Sequence, residues 1–255
     1  MDEIVLKNVT QEGVPLEVTY LPGKGMNMVS YKKGDIEVMD LSTTPLFEER
    51  YAGLGSLIGP HFHKRKPEVL PVLSNEDRFP HIARIRGKSG NVDPFSHGVG
   101  RYAPWTYEAT EHSVKATLTG KDEWNGVLLK DIENQDFKME FQAELQPDGL
   151  HLNLSVVSDS DSVVGLHYYY ALPKKSGVVR SKVQNNYIAI DKVLPIPGDW
   201  GYDQATQELN FTLDNEADYT FHPFPDATQG EIILDAVDHQ LKTSFVSDSE
   251  ECCFQ

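Results

Sequence analysis

The chain has 255 residues, with 23 lysines and arginines against 39 aspartates and glutamates, so its formal net charge is −16 at pH 7. This acidity argues against nucleic acid or an anionic membrane as a partner, because phosphate-rich surfaces are bound mainly through Lys and Arg. The chain is 39% hydrophobic and 24% charged, which is ordinary for a globular protein and excludes disordered or collagen-like classes.

Predicted strands begin near the N-terminus and recur along nearly the whole chain. The first are 16–21, 27–31 and 36–39, which are rich in β-branched and aromatic residues. A short helix is expected only within 45–57. The stretch 59–100 is the least regular and contains five prolines, and long irregular loops on a rigid sheet often carry functional sites.

The clearest pattern is a period-two alternation in the middle of the chain. Apolar residues alternate with polar ones from Phe137 to Leu145, and the alternation resumes from Leu150 to Val156. The intervening Pro147 and Gly149 favour a turn, because proline presets φ and glycine tolerates positive φ. The sequence therefore predicts a β-hairpin here.

Other short strands are predicted on both sides of this hairpin. They are 105–109, 114–118, 163–171, 187–190, 208–213, 231–234 and 241–245. Many short strands separated by Gly, Pro and Asp favour a large antiparallel β-sandwich over alternating βαβ units. With no internal repeat and no low-complexity linker, we predict an all-β fold with a single domain spanning 1–255.

The first candidate site is a turn at His97, which is followed by Gly98 and, three residues later, by Arg101. A neighbouring glycine lets the backbone turn sharply and expose the imidazole, and a histidine pKa near 6.5 suits proton transfer at neutral pH. The alternative is a loop histidine that is only hydrogen-bonded locally.

The second candidate is His167, which lies in an aromatic strand and shares a face with Tyr169. Tyrosines beside a polar group are typical of sugar sites, where C–H faces stack on aromatic rings. The alternative is a satisfied core histidine.

Three further features have weaker signals. His61 and His63 have the spacing of two metal ligands on a strand, but no third ligand is specified. The basic residues 64–66 favour an anion-holding patch, with a solvated loop as the alternative. The acidic residues of 214–218 precede an aromatic strand and by default form a turn. The only cysteines, Cys252 and Cys253, are adjacent and give neither a disulfide framework nor a CxxC motif.

These pieces, in this order, resemble the galactose mutarotase-like superfamily, which comprises aldose 1-epimerases and hexose-6-phosphate 1-epimerases. The segment 53–60 resembles the family's glycine-rich segment, and 137–169 resembles its central hairpin leading to a second histidine. The residues His97-Gly98-Val99-Gly100-Arg101 resemble the His-Gly-x-x-Arg motif of the sugar-phosphate branch. The resemblance covers most of the chain.

The resemblance implies a large sandwich that interconverts the α and β anomers of a hexose or hexose 6-phosphate without a cofactor. It implies that His167 is the general acid toward the ring oxygen and that His97 steadies that oxygen. Tyr169 would line the sugar site.

The resemblance also implies substrate-binding roles for polar residues farther along the chain. Asp218 would accept sugar hydroxyls, with Asp214 as the fallback. Arg65 or Lys64 would take the place of the family's basic loop residue, and Arg101 would hold a phosphate.

The family's general base is a glutamate in a Cys-x-Glu-Pro-like strand near the C-terminus, and the chain ends before such a strand is expected. Either the sequence is truncated, or the base comes from elsewhere in the chain, or the protein has the alternative function of binding a carbohydrate without turning it over. We found neither an apolar run of about 20 residues nor a signal-peptide pattern, and the expected location is the cytoplasm.

Overall fold

The computed structural model describes residues 2–60, 75–89, 93–189, 192–249 and 252–255. The chain divides into two compact units, Met1–Ala171 and Leu172–Gln255. The expectation of one domain spanning 1–255 stays a prediction. Within the described ranges, no helix is long and apolar enough to span a bilayer.

The described part of the first unit consists mainly of short strands with three α-helices between them. The strands are β1 Ile4–Val9, β2 Pro15–Leu21, β3 Asn27–Lys33, β4 Ile36–Glu37, β5 Gly55–Ile58, β6 Thr106–Ala109, β7 Ser113–Thr119, β8 Glu123–Trp124, β9 Val127–Leu128, β10 Phe137–Gln146, β11 Gly149–Ser158 and β12 Gly165–Tyr168. The helices are α1 Thr44–Arg50, α2 Pro80–Ser89 and α3 Leu129–Glu133.

Two larger antiparallel sheets make up most of the described part of this unit, and β8 and β9 form a small separate pair. One of the larger sheets has the order β1-β2-β3-β5-β12, with β4 paired to β3, and the other has the order β11-β10-β7-β6. The central hairpin is confirmed, with Phe137 opposite Ser158 and Gln146 opposite Gly149. Its alternation is confirmed as well, since every second residue of β10 from Phe137 onward is buried and those between are not.

The core of the first unit lies between these two sheets. Both contribute to one apolar cluster, in which Leu6, Val18 and Tyr20 of the first sheet join Val114 and Phe141 of the second. Tyr20 meets Phe141 edge to face, with ring centroids 5.7 Å apart. Burying the inner faces of two antiparallel sheets in this way defines a β-sandwich, so the all-β prediction is confirmed.

The second unit is a twisted antiparallel sheet built around one long strand. Its strands are β13 Gly177–Ala189, β14 Lys192–Pro195, β15 Tyr202–Asp203, β16 Glu208–Leu213, β17 Thr220–Pro223, β18 Gln229–Ala236 and β19 Gln240–Val246. The order is β15-β16-β13-β18-β19, and both β14 and β17 also pair with β13. Its small core is centred on Val183, Tyr187, Leu209 and Phe221.

Two helices and several strands depart from the sequence predictions, and the strands β1 and β14 were not predicted. The helix α2 lies inside the stretch 59–100 that was predicted to be irregular, and α3 was not predicted. Both are short, and α3 has only five residues, so they offer little periodicity to detect. Strand β13 has 13 residues, whereas only 187–190 was predicted, because polar residues at its centre interrupt the apolar pattern.

Candidate functional site

His167 is positioned by strand pairing. It lies on β12 directly opposite Ser56 of β5, and its half-buried ring has its centroid 5.1 Å from that of Tyr169. Beyond the strand, the Tyr169 N–H donates to the Leu54 carbonyl and the Asp40 N–H donates to the Tyr169 carbonyl, at 2.9 and 2.8 Å. The register of the sheet therefore fixes both candidate residues on one face, as their spacing predicted.

His97 is positioned by a kinked loop instead, which we call the histidine loop (residues 93–102). The backbone of His97 has φ 73°, and that of the next residue, Gly98, has φ 86°. Positive φ is uncommon outside glycine, so this conformation needs support on both sides. The N–H of Gly59, directly after β5, donates to the His97 carbonyl at 2.8 Å, and the Gly100 N–H donates to the Gly59 carbonyl at 2.9 Å.

These two supports bring the predicted histidines together. The ring centroids of His97 and His167 are 5.1 Å apart, with the ring planes inclined by 37°. Three rings, those of His97, His167 and Tyr169, therefore follow one another along one face. Two imidazoles at this spacing can address two neighbouring oxygens of one small molecule, which is the arrangement that general acid–base chemistry requires.

Buried polar side chains hold the histidine loop at several points. Asp93 accepts from the Phe95 N–H at 3.0 Å, and Glu133 accepts from the Val99 N–H at 2.5 Å. Both carboxylates are almost fully buried, at 4% and 1% exposure. Sequence motifs single out neither residue, and for Glu133 the reason is that no local pattern links α3 to a loop more than thirty positions away.

Two aromatic side chains add further hydrogen bonds to the same loop. The Tyr102 hydroxyl donates to the Ser96 carbonyl at 2.9 Å, and the Trp105 indole N–H donates to the Gly100 carbonyl at 3.0 Å. Their rings are buried. The loop is thus fixed by buried partners and not by repetitive secondary structure.

His81 is a third histidine near the loop, and its sequence context gave no signal. Its ring stacks on Tyr102 and Trp124, with centroid distances of 5.0 and 5.8 Å. Its Nε2 lies 3.3 Å from the Pro94 carbonyl, which can only accept, so Nε2 carries the proton. Burial is the main cause that lowers the pKa of His81 to about 4, so it is neutral at pH 7 and serves as a packed donor.

Arg101 is buried instead of exposed. Only 4% of the residue is exposed, and its Nε donates to the Tyr51 carbonyl at 2.5 Å. Its guanidinium lies 5.9 Å from the centre of the Tyr102 ring. Among the described residues no carboxylate pairs with it, although buried charges are normally paired.

A second arginine lies close to the first. Burial lowers the pKa of Arg101, and the charge of Arg50 acts in the same direction, whereas Tyr102 and Tyr169 oppose it. The Nε of Arg50 is itself buried and has no hydrogen-bond partner among the described residues. Within the described residues, neither guanidinium pairs with a carboxylate, and Arg101 lies near Tyr169, a combination that favours an anion. No sequence motif points to Arg50.

Two of the other predicted site residues belong to the second unit, and the rest lie outside the described residues. Asp218 belongs to the second unit, where it is exposed and accepts a hydrogen bond from the Gln255 amide, and Asp214 of that unit accepts from Asn215. The predicted Lys64 and Arg65, and the His61–His63 pair, lie outside the described residues. Within the described part of the chain, no three His, Cys, Asp or Glu side chains form a possible metal site.

Comparisons with known proteins give matches through structure alone. No family model matches the chain, and no curated protein matches it either. A solved structure of a galactose mutarotase-related enzyme from Lactobacillus acidophilus matches with a TM-score of 0.58 and 14% identity, over 95% of this chain and 76% of that one.

Two more solved structures give similar matches. A protein of Synechocystis sp. PCC 6803 has a TM-score of 0.55 and 14% identity over 99% of this chain and 84% of its own. A galactose mutarotase-like protein from Clostridium acetobutylicum has a TM-score of 0.50 and 12% identity over 98% and 86%. At these identities the likeness concerns the fold, and the protein has the fold of the galactose mutarotase-like superfamily.

Proposed function

We propose that the protein is an aldose 1-epimerase, which interconverts the α and β anomers of a hexose or hexose 6-phosphate. The observation that carries this proposal is the pairing of His97 with His167, whose ring centroids are 5.1 Å apart. A tyrosine ring beside the pair, that of Tyr169, supports a sugar ligand because aromatic faces pack against the C–H faces of sugars.

The proposed reaction opens and closes the sugar ring. His167 donates a proton to the ring oxygen as the bond between that oxygen and the anomeric carbon breaks, while a base takes the proton of the anomeric hydroxyl. The product is an open-chain aldehyde, whose C1–C2 bond rotates before the hydroxyl adds back to the other face. His97 hydrogen-bonds near the ring oxygen and steadies it. The base is not assigned to a residue of this chain.

The arginine pair supports a phosphorylated substrate over a neutral one. Arg101 is buried with no carboxylate among the described residues, and Arg50 adds a second positive charge nearby. Binding a phosphate would supply the missing counter-charge with several acceptor oxygens. We therefore favour a hexose 6-phosphate, a choice that the sequence analysis left open.

The remaining proposed roles rest on the family resemblance. Asp218 would accept sugar hydroxyls, and Arg65 would contribute a further positive charge. We also propose that the protein needs no cofactor and works in the cytoplasm.

Anomer exchange measured by NMR decides the main proposal. With α-glucose 6-phosphate as substrate, the wild type should exchange anomers well above the buffer rate, and His167→Gln should lower that rate by about 10²- to 10⁴-fold. His151→Gln is the matched control, because His151 is exposed and pairs with Asp148. Exchange no faster than buffer with glucose, galactose and glucose 6-phosphate would overturn the proposal.

A second experiment compares glucose 6-phosphate with glucose as the substrate. Arg50→Gln should raise KM for glucose 6-phosphate about tenfold or more and leave the rate with glucose nearly unchanged, because only the phosphate loses a charged partner. Arg78→Gln is the control, since Arg78 is exposed and donates to the Asn125 and Gly126 carbonyls. Equal effects on both sugars would contradict a phosphate role for Arg50.

The alternative is a carbohydrate-binding protein without turnover. It predicts binding of a hexose or its phosphate by calorimetry, with no exchange above buffer. In that case His167→Ala should weaken binding and change no rate.

A further inference from the structure

The histidine loop is fixed on its C-terminal side by an acidic side chain from a different element. Glu133 is the last residue of α3, it is 1% exposed, and its Oε1 lies 2.5 Å from the Val99 N–H. Val99 opens the 3-10 turn Val99–Arg101 and stands two residues after His97. The hydrogen bond is therefore made close to the kink that carries the histidine.

The backbone between His97 and Val99 needs such a hold. Two consecutive residues, His97 and Gly98, have positive φ, and a histidine in that region is held there by its surroundings. Gly59 fixes the His97 carbonyl on one side of the kink. Glu133 fixes the amide on the other side, so the kink is clamped between two hydrogen bonds.

The acceptor of this hydrogen bond is a carboxylate, and that affects the strength of the bond. A carboxylate that accepts from a backbone N–H forms a charge-assisted hydrogen bond, which is stronger than one to a neutral carbonyl. Burying a carboxylate almost completely costs free energy. A carboxylate in such a position often holds neighbouring groups in a specific geometry. Small displacements of a catalytic group have large kinetic effects, since about 1 Å costs up to 10²-fold.

We propose that Glu133 is a positioning residue for His97, acting through the Val99 amide and touching no substrate. The inference rests on the proposed function in that His97 takes part in ring opening. The geometry of the loop is independent of that function, so a structural readout tests the inference even without turnover.

The structural test is NMR of the His97 imidazole in the free protein, with its signal assigned by its loss in His97→Gln. Glu133→Gln removes the charge and retains an acceptor, and it should shift the His97 ring signals and change their titration midpoint. The matched control is Asp122→Asn, because Asp122 also accepts one backbone N–H, that of Thr119 at 2.7 Å. The control should leave the His97 signals unchanged.

The kinetic test uses the same variants. Glu133→Gln should lower kcat about 10-fold and Glu133→Leu about 100-fold, with KM changing less than kcat, because a displaced His97 affects the reacting geometry more than binding. Asp122→Asn should retain the wild-type kcat.

Each outcome decides a different claim. If the wild type exchanges no sugar anomers, the proposed function fails, and the NMR comparison still decides the role of Glu133. If Glu133→Gln folds with a lower Tm and leaves the His97 signals and titration as in the wild type, Glu133 is only structural and the inference is overturned. Should Glu133→Leu fail to fold, the milder Glu133→Gln carries the test.

Discussion

The two candidate histidines are held by different means. His167 belongs to β12, whose pairing with β5 sets its position through the register of backbone hydrogen bonds. His97 belongs to the histidine loop, which is held by buried side chains from elsewhere, among them Glu133 and His81. A strand position tolerates changes in neighbouring side chains, whereas a loop position depends on each individual partner. Substitutions that remove a partner of the histidine loop should therefore displace His97 more than substitutions beside β12 displace His167.

The largest expected effect is a loss of stability when Gly25, which lies against the Arg101 carbonyl of the histidine loop, is replaced. A Cβ at Gly25 would lie 2.0 Å from the Arg101 carbonyl oxygen, whereas one at Gly13 would meet nothing within 4 Å, and both glycines have positive φ, at 70° and 80°. Gly25→Ala should therefore lower the free energy of unfolding by about 3 kcal/mol or more, measured by urea denaturation.

Gly13→Ala is the control for the cost of a non-glycine residue at positive φ. It should lose only about 1 kcal/mol. Similar losses in the two variants would show that the close approach to Arg101 is not a constraint.

The next effect is a pH dependence that comes from His81. Because its folded-state pKa of about 4 lies below the ordinary value of 6.5, the unfolded chain binds the proton first as the pH falls. Stability should be fully present above pH 6.5 and decrease by about 3 kcal/mol as the pH drops to 4. His81→Phe should remove that part of the decrease, as measured by unfolding at pH 7 and pH 4.

His112→Gln serves as the comparison for this pH effect, because His112 is exposed and its ring nitrogen contacts the Lys7 carbonyl and not a carboxylate. It should leave the pH dependence of unfolding close to that of the wild type. A His81→Phe protein with the full wild-type decrease would show that His81 is not the group responsible.

The smallest effect is expected on the strand. Leu166 is 44% exposed and precedes His167, so it lies on the opposite face of β12. Leu166→Thr should change the free energy of unfolding by about 0.5 kcal/mol and leave the NMR signals of the His167 ring unchanged. A shift in those signals comparable to that caused by Glu133→Gln at His97 would remove the distinction between strand and loop.

The same distinction explains how much the sequence could predict. The alternation of apolar and polar residues predicts the central hairpin, and aromatic residues predict the strand that carries His167 and Tyr169. Such patterns can be read from consecutive residues. The glycine beside His97 identified the turn. Both histidines are therefore candidates on sequence grounds, and in the structure their ring centroids are 5.1 Å apart; their roles stay a prediction.

The residues that hold the histidine loop could not be found in this way. Glu133 reaches Val99 across 34 positions, and Arg50 acts through its closeness to Arg101, which only the folded chain creates. His81 lies in a helix too short to show a pattern. Long-range contacts depend on the packing of whole elements, and a local motif does not encode them.

Gly59 has a consequence for how the site moves. It follows β5 directly, its N–H and carbonyl both bond to the histidine loop, and β5 also pairs with the strand of His167. The short strand β5 and the glycine after it therefore help to position both histidines. If thermal motion displaces β5, we expect the two imidazoles to move with it, so that the distance between them varies less than the position of either.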